Sequence, residues 1–455
     1  MNLEGRADPA RGILSAMSAR SMRGTLFGGV VAAMLAIAGP LPQADAATLG
    51  PTSAVSSPDA WTVGNALAKT SNYLHTVWAS DCPPPHGVCA TDRGPFMGVF
   101  WRRDSLSAPG PWSPPRRLSF PHKHAVRPAI AASGADVYVA WVSQGSYLHY
   151  RPSAPRVVWI RASGNEGGSW RAPVALSYVG ARADFPVIAA SGDSAWVVWT
   201  NADSGLIRMA SSTDAGAHWT VTTIGTTTSG KGSNEGYHGL PAIGASGPNV
   251  AALWFADPGG RQVALTSDQG GTDWSISSTP TELTAAGPNG WLRYPSARGA
   301  QDGQSARVVI AYLTGLRLET RVWDGTTLAD AQPVDGPWPH QTLGRTYVGA
   351  YGPAVAPSGA HGITVAWSAC RREPGAANGC ATGGGRPRID ILGRVSPDEG
   401  VTWSPREALA TSSVGAAVNE APSLVADATL ARTWYVWLGR TVTWSAYRVY
   451  TRSAA

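Results

Sequence analysis

The chain has 455 residues, 43% hydrophobic and 15% charged, and 36 basic against 30 acidic residues leave a net charge of +6. No run of like charge and no basic stripe concentrates that excess, which argues against nucleic acid as a partner. Only Lys69, Lys123 and Lys231 are lysines among many arginines; with abundant Ala, Gly and Pro, this points to a GC-rich coding sequence rather than to arginine chemistry.

Arg20 and Arg23 precede an apolar run from Thr25 to Gly39, which Pro40 and Pro42 break. Ala44-Asp45-Ala46 then supplies the small-x-small pattern of a signal-peptidase site, so residues 1–46 are expected to be a signal peptide cleaved after Ala46. Met17 and Met22 are alternative starts, and no Cys follows the run to carry a lipid anchor. The run is short for a membrane span and no later segment approaches the needed length. A secreted or cell-envelope protein, outside the cytoplasm and monomeric, is the expectation.

Length alone suggests two or three domains, but one repeated unit makes residues 47–455 a single domain. A Pro-led apolar strand, a Ser-Gly turn and a strand ending in Trp read Pro128-Ala-Ile-Ala-Ala-Ser-Gly and Val137-Tyr-Val-Ala-Trp141. The unit returns from Pro186 to Trp199 and from Pro241 to Trp254. Weaker copies run from Pro295 to Tyr312, Pro353 to Trp367 and Pro422 to Trp437, and a first copy without the Pro ends at Trp78. Short apolar strands and Gly-rich turns at this period, with almost no helical periodicity, give one four-stranded antiparallel blade per unit. The fold class is therefore all-β, a single β-propeller with seven blades, six being the fallback. The last unit runs out after three strands, and the segment from Ala47 to Trp61 is expected to supply the fourth and close the ring.

The four cysteines form two close pairs, and local closure favours Cys82–Cys89 and Cys370–Cys380 among three connectivities. An oxidising compartment agrees with the signal peptide. Zinc is the competing reading, disfavoured because the spacing lacks CxxC character. Both pairs begin just after a second-strand aromatic, Trp78 or Trp367, so both bridges would clip the same kind of loop.

A second motif follows the third strands. Ser212-Thr-Asp214-Ala-Gly216-Ala-His-Trp219 and Ser396-Pro-Asp398-Glu-Gly400-Val-Thr-Trp403 match S-x-D-x-G-x-x-W in full. Ser163-Gly-Asn165-Glu-Gly167-Gly-Ser-Trp170 carries Asn for Asp, and Ser267-Asp-Gln269-Gly-Gly271-Thr-Asp-Trp274 carries Gln there, or Asp268 with one inserted residue. These are structural turns: a short acceptor takes backbone N–H groups, Gly adopts positive φ, and Trp packs into the sheet. On these boxes the chain resembles the sialidase-like Asp-box propellers over residues 60–450.

Residues just before each repeat's Pro fall at one mouth of the central channel: Arg127, Asp184, His238, Arg293, Tyr351 and Glu420. The resemblance implies three arginines clamping a sugar carboxylate, a Tyr nucleophile activated by Glu, and an Asp acid/base. Arg293-Tyr-Pro295 has the shape of the family's first-clamp motif, although it stands in the fifth unit, while Asn65-Ala66-Leu67 occupies the first. The candidate catalytic set is Arg293, Tyr351, Glu420 (or Glu235) and Asp184; Arg127, His238 and Arg345 are candidate binding residues. His122-Lys123-His124 has no third ligand at a diagnostic distance. No phosphate loop, GxSxG elbow or HExxH occurs, so neither cofactor nor metal is expected. Three functions stay open: recognition of an extracellular glycan or other extracellular ligand, exo-sialidase-type hydrolysis of terminal acidic sugars, and a protein-interaction or structural role.

Overall fold

The computed structural model describes residues 49–56, 62–81, 97–121, 123–144, 154–227, 240–256, 262–270, 281–283, 295–300, 306–314, 317–335, 352–370, 382–383, 386–387, 389–411, 416–441 and 448–454. All lie in one compact unit, Ala44–Ala455. The expected signal peptide lies outside the described residues. So do Cys82, Cys89 and Cys380, and with them both expected bridges. No helix among the described residues is long and apolar enough to cross a membrane.

Seven four-stranded antiparallel blades form a ring, as expected. Blades 1 to 6 fall within residues 62–117, 125–175, 183–226, 242–282, 296–335 and 354–410. Blade 7 takes three strands from residues 416–454 and its outermost from Ser53–Ala54, which pairs antiparallel with the last strand through Ser53–Thr451 and Ala54–Tyr450. Chain ends joined in one blade leave the ring no free seam. One parallel bridge, Ile389 to Val418, additionally ties blade 6 to blade 7.

The second strand of a blade is covered by neighbours on both faces, so its sequence is continuously apolar rather than alternating. Ser194–Asn201 and Asn249–Phe255 are buried almost throughout, whereas the outermost strand Thr220–Thr226 is largely exposed. The core is thus not inside blades but between them. Among the described residues seven apolar clusters occupy the seven blade-to-blade seams. Each holds one of the strand-ending aromatics: Trp78, Trp141, Trp199, Trp254, Tyr312, Trp367 and Trp437, all at most 3% exposed. Every one faces the blade before its own. Each buried Trp contributes enough area that truncation to Ala costs ~3–5 kcal/mol.

The Ser-x-Asp-x-Gly turns bind themselves and the preceding blade. Ser212 Oγ donates to Asp214 Oδ1 at 2.8 Å and accepts from the Gly216 N–H at 3.0 Å, while Asp214 Oδ1 accepts from the His218 N–H at 2.9 Å. The turns at Ser396 and Ser163 repeat the pattern, Asn165 replacing Asp in the latter. Two successive left-handed residues shape each turn: Glu166 and Gly167, Ala215 and Gly216, Glu399 and Gly400. A Cβ on Gly167 would lie 2.2 Å from the Trp101 ring of blade 1, so the glycine is required by contact as well as by φ. Donors from the preceding blade reach the turn: Arg103 to Glu166 O at 2.6 Å, Arg171 to Ala215 O at 3.0 Å, Trp196 Nε1 to Gly270 O at 2.7 Å. The fourth turn's Trp274 lies outside the described residues.

Candidate functional site

Inner strands all begin on one face of the ring, here the upper face, and the Ser-x-Asp-x-Gly turns lie on the lower. At the upper ends of the inner strands the ladder breaks. Register shifts occur between Val63 and Asn65, Val126 and Ala129, Asp184 and Val187, and Glu420 and Ser423. The bulged residues Gly64, Arg127 and Phe185 have φ of 63, 55 and 53 degrees. Glycine takes that conformation freely, but Arg127 and Phe185 both precede a proline, and a side chain held there stores strain of roughly 1–3 kcal/mol. Surrounding structure must fix such residues.

For Arg127 the fixing groups are visible. Its Nε lies 2.9 Å from Asp184 Oδ1, and its guanidinium stacks on the Phe185 ring with Cζ 3.6 Å from the centroid. Arg156 Nη1 approaches Asp184 Oδ2 at 3.0 Å, an ion pair rather than a well-directed hydrogen bond. Oδ1 also accepts the Phe185 N–H at 2.9 Å. Asp184 and Arg156 are 2% and 3% exposed at the side chain, Arg127 32%. The result is a buried carboxylate clamped between two arginines of blade 2, with one guanidinium presented at the upper mouth over an aromatic face. Arg182 and Asp203 make a more exposed pair nearby in sequence, at 3.3 Å.

Of the residues expected to ring the mouth, Arg127 and Asp184 are brought together. His238, Arg293, Tyr351 and Arg345, with the alternative Glu235, lie outside the described residues, as does His122. Glu420 is placed only by backbone, opposite Leu438, beside its bulge. His124 is buried and its Nδ1 accepts the Met97 N–H at 3.3 Å. Among the described residues no three His, Cys, Asp or Glu gather as a metal site.

Below the mouth the seven inner strands enclose an axial cavity of about 320 Å³. Pro128, Pro186, Pro295, Pro353 and Pro422 line it, so the repeat's proline marks the channel wall. Neither Arg127 nor Asp184 is among its lining residues. Among the described residues its one charged lining residue is Arg298 of blade 5, which reading the residues before each Pro misses. A signal was present: the third residue after the repeat's Pro is Ala131, Ala189, Gly244, Ala356 and Val425 in five copies and Arg298 in the sixth. Arg298 crosses the channel and donates through Nη1 to Leu424 O of blade 7 and through Nη2 to Leu67 O of blade 1 at 2.9 Å. Burial pushes its guanidinium down to about 10, which leaves it cationic at neutral pH.

No family model matches the sequence, and no curated protein matches it. Solved structures similar to this chain include a protein of unknown function from Dyadobacter fermentans, at 9% identity and TM-score 0.49, covering 89% of this chain and 97% of that one. Trypanosoma rangeli sialidase gives 10% identity and TM-score 0.45 over 89% of this chain and 60% of its own. A Hadza microbial sialidase gives 12% and 0.44 over 86% and 65%. This chain thus spans about three fifths of the trypanosomal sialidase's length. Likeness at this level concerns the arrangement of blades and carries nothing about ligand or reaction.

Proposed function

We propose that this chain is an exported propeller that recognises extracellular glycans at the upper mouth of its channel, without cleaving them. The observation that supports this reading is the Arg127–Asp184–Phe185 arrangement: a strained, rigidly held guanidinium on an aromatic ring, above a cavity. Guanidinium forks suit sugar carboxylates and hydroxyls, and rigid aromatic faces suit sugar rings. The Ser-x-Asp-x-Gly-x-x-Trp repeats and their resemblance to sialidase-like propellers make a glycan the ligand class to test first. Hydrolysis is the weaker reading because both oxygens of Asp184 are occupied by arginines, an arrangement that suits holding Arg127 more than carrying a proton to a leaving group.

Purified residues 47–455 would be screened on immobilised glycans and assayed with a fluorogenic sialoside, with Arg127→Ala alongside. Saturable binding without fluorophore release, weakened about tenfold or more in the variant, is expected. Release of fluorophore would establish the hydrolytic alternative instead. A folded protein that binds no glycan would leave the interaction or structural reading in its place.

A further inference from the structure

Among the described residues Arg156 and Arg307 are buried in the ring and Arg298 is partly buried, and the first two have a carboxylate. Arg156 pairs with Asp184 at 3.0 Å and Arg307 with Glu399 at 3.2 Å. Arg298 has none among the described residues: its two acceptors are the neutral carbonyls of Leu67 and Leu424. For a partly buried cation on a cavity wall, two carbonyls satisfy donors without cancelling its charge. Among the described residues the remaining walls offer nothing anionic, being Pro, Ala, Gly, Ile, Val and Leu with Asn65, Ser296 and Ser423 as the polar side chains.

Geometry also leaves Arg298 with unused capacity. A guanidinium has five N–H donors, and two are spoken for. Close packing on one side sets the direction of the side chain. A Cβ on Gly244 of blade 4 would lie 2.9 Å from Arg298 Cα, and one on Gly299 would fall on Ala245 O. The inner strands of blades 4 and 5 therefore touch backbone to backbone, and the guanidinium extends across the axis toward blades 7 and 1. It ends beside a cavity of about 320 Å³, some ten times the ~30 Å³ share of one water in the liquid.

We propose that Arg298 is the floor of an anion site, in which the axial cavity takes a small carboxylate or inorganic oxyanion on the donors that Leu67 and Leu424 leave unused. A planar fork prefers paired oxygens, so a carboxylate, phosphate or sulfate fits better than a spherical halide. The site is separate from the Arg127 mouth and does not depend on glycan recognition there.

The test follows the melting temperature of residues 47–455 at constant ionic strength, as sodium acetate or sodium phosphate replaces sodium chloride. A saturable rise is expected with at least one of the two, because a ligand that binds only the folded state raises its stability. Response to acetate alone identifies a carboxylate ligand, and response to phosphate alone an inorganic oxyanion. The rise should vanish in Arg298→Met and persist in Arg127→Ala. Arg298→Lys keeps the charge but loses the fork, and should shift the midpoint about tenfold or more toward higher acetate. Flat titrations of the wild-type protein with both anions would overturn the proposal, as would a rise unchanged in Arg298→Met or lost in Arg127→Ala. If neither Arg298 variant folds, wild-type crystals soaked in arsenate and in bromoacetate decide the matter: an anomalous peak beside Arg298 with either supports the site, and an axial channel empty of both refutes it.

Discussion

Replacing Asp184 by Asn should destabilise the propeller more than its position beside the mouth suggests. The substitution keeps shape but removes the charge that two arginines share. Arg127 is 32% exposed, so solvent screens its pairing with Asp184 and that part of the loss counts for less. Arg156 is 3% exposed and would lose the carboxylate charge that faces its Nη1 at 3.0 Å. Removing one partner of such a pair typically costs ~3–5 kcal/mol. At ~2.1 cal/mol/K of unfolding entropy per residue over roughly 410 residues, that lowers the melting temperature by about 4–6 °C. Differential scanning calorimetry at neutral pH would read it, with Arg127→Ala expected to fall by less than half as much. Adding Arg156→Met to Asp184→Asn removes the buried guanidinium that faced the carboxylate and should recover much of the loss. A single variant melting within about 1 °C of wild type, or a double variant no better than the single, would refute the reasoning.

Other consequences can be checked on the same protein. Gly167→Ala places a methyl 2.2 Å from the Trp101 ring at φ of 81 degrees; strain and overpacking together should cost about 2–4 kcal/mol by thermal melt. Ser396→Ala leaves the buried Gly400 N–H without its 2.7 Å acceptor, and a loss of about 1–3 kcal/mol in denaturant titration is expected. Burial, then the charge of Arg103, lowers His75 from 6.5 to about 3. The unfolded chain therefore takes up a proton at His75 before the folded one does, so stability falls as pH drops from about 6.5 toward 3, by at most ~1.4 kcal/mol per unit. His75→Gln should flatten that part of the profile, and an unchanged slope would rule the assignment out. Asp427 is pulled up by burial but more strongly down by Lys69 at 2.8 Å and Thr429, to about 2. Its contribution is present above its ordinary carboxylate range and is lost as pH falls through it toward 2, so Asp427→Asn should weaken the acid dependence there.

The repeating architecture was legible in the chain because its determinants are local. A Pro-led strand, a Ser-Gly turn and a terminal aromatic recur within single hairpins, and each aromatic must be buried whichever neighbour buries it. Closure was legible too, since three strands in the last unit and an unused segment from Ala47 to Trp61 leave one way to pair the edge. The strand that pairs is Ser53–Ala54, with Leu49, Gly50 and Val55 bonding the same partner strand, a register that hydrogen bonding to blade 7 decides and no local preference does. Arg127 and Asp184 could be placed at one mouth from their offset to Pro, yet their pairing at 2.9 Å depends on adjacent blades meeting at a bulge. Arg156 begins a third strand and carries no mark of its part in that clamp. Arg298 shows the limit most clearly: the sequence flags it as a charge where sister repeats carry Ala, Gly or Val, but its acceptors at Leu67 and Leu424 lie 231 and 126 residues away along the chain. Blade identity follows from side-chain period and turn chemistry within some fifty residues. Where a buried charge finds its partner follows from which blades the closed ring sets facing each other across the axis, and only the tertiary structure fixes that.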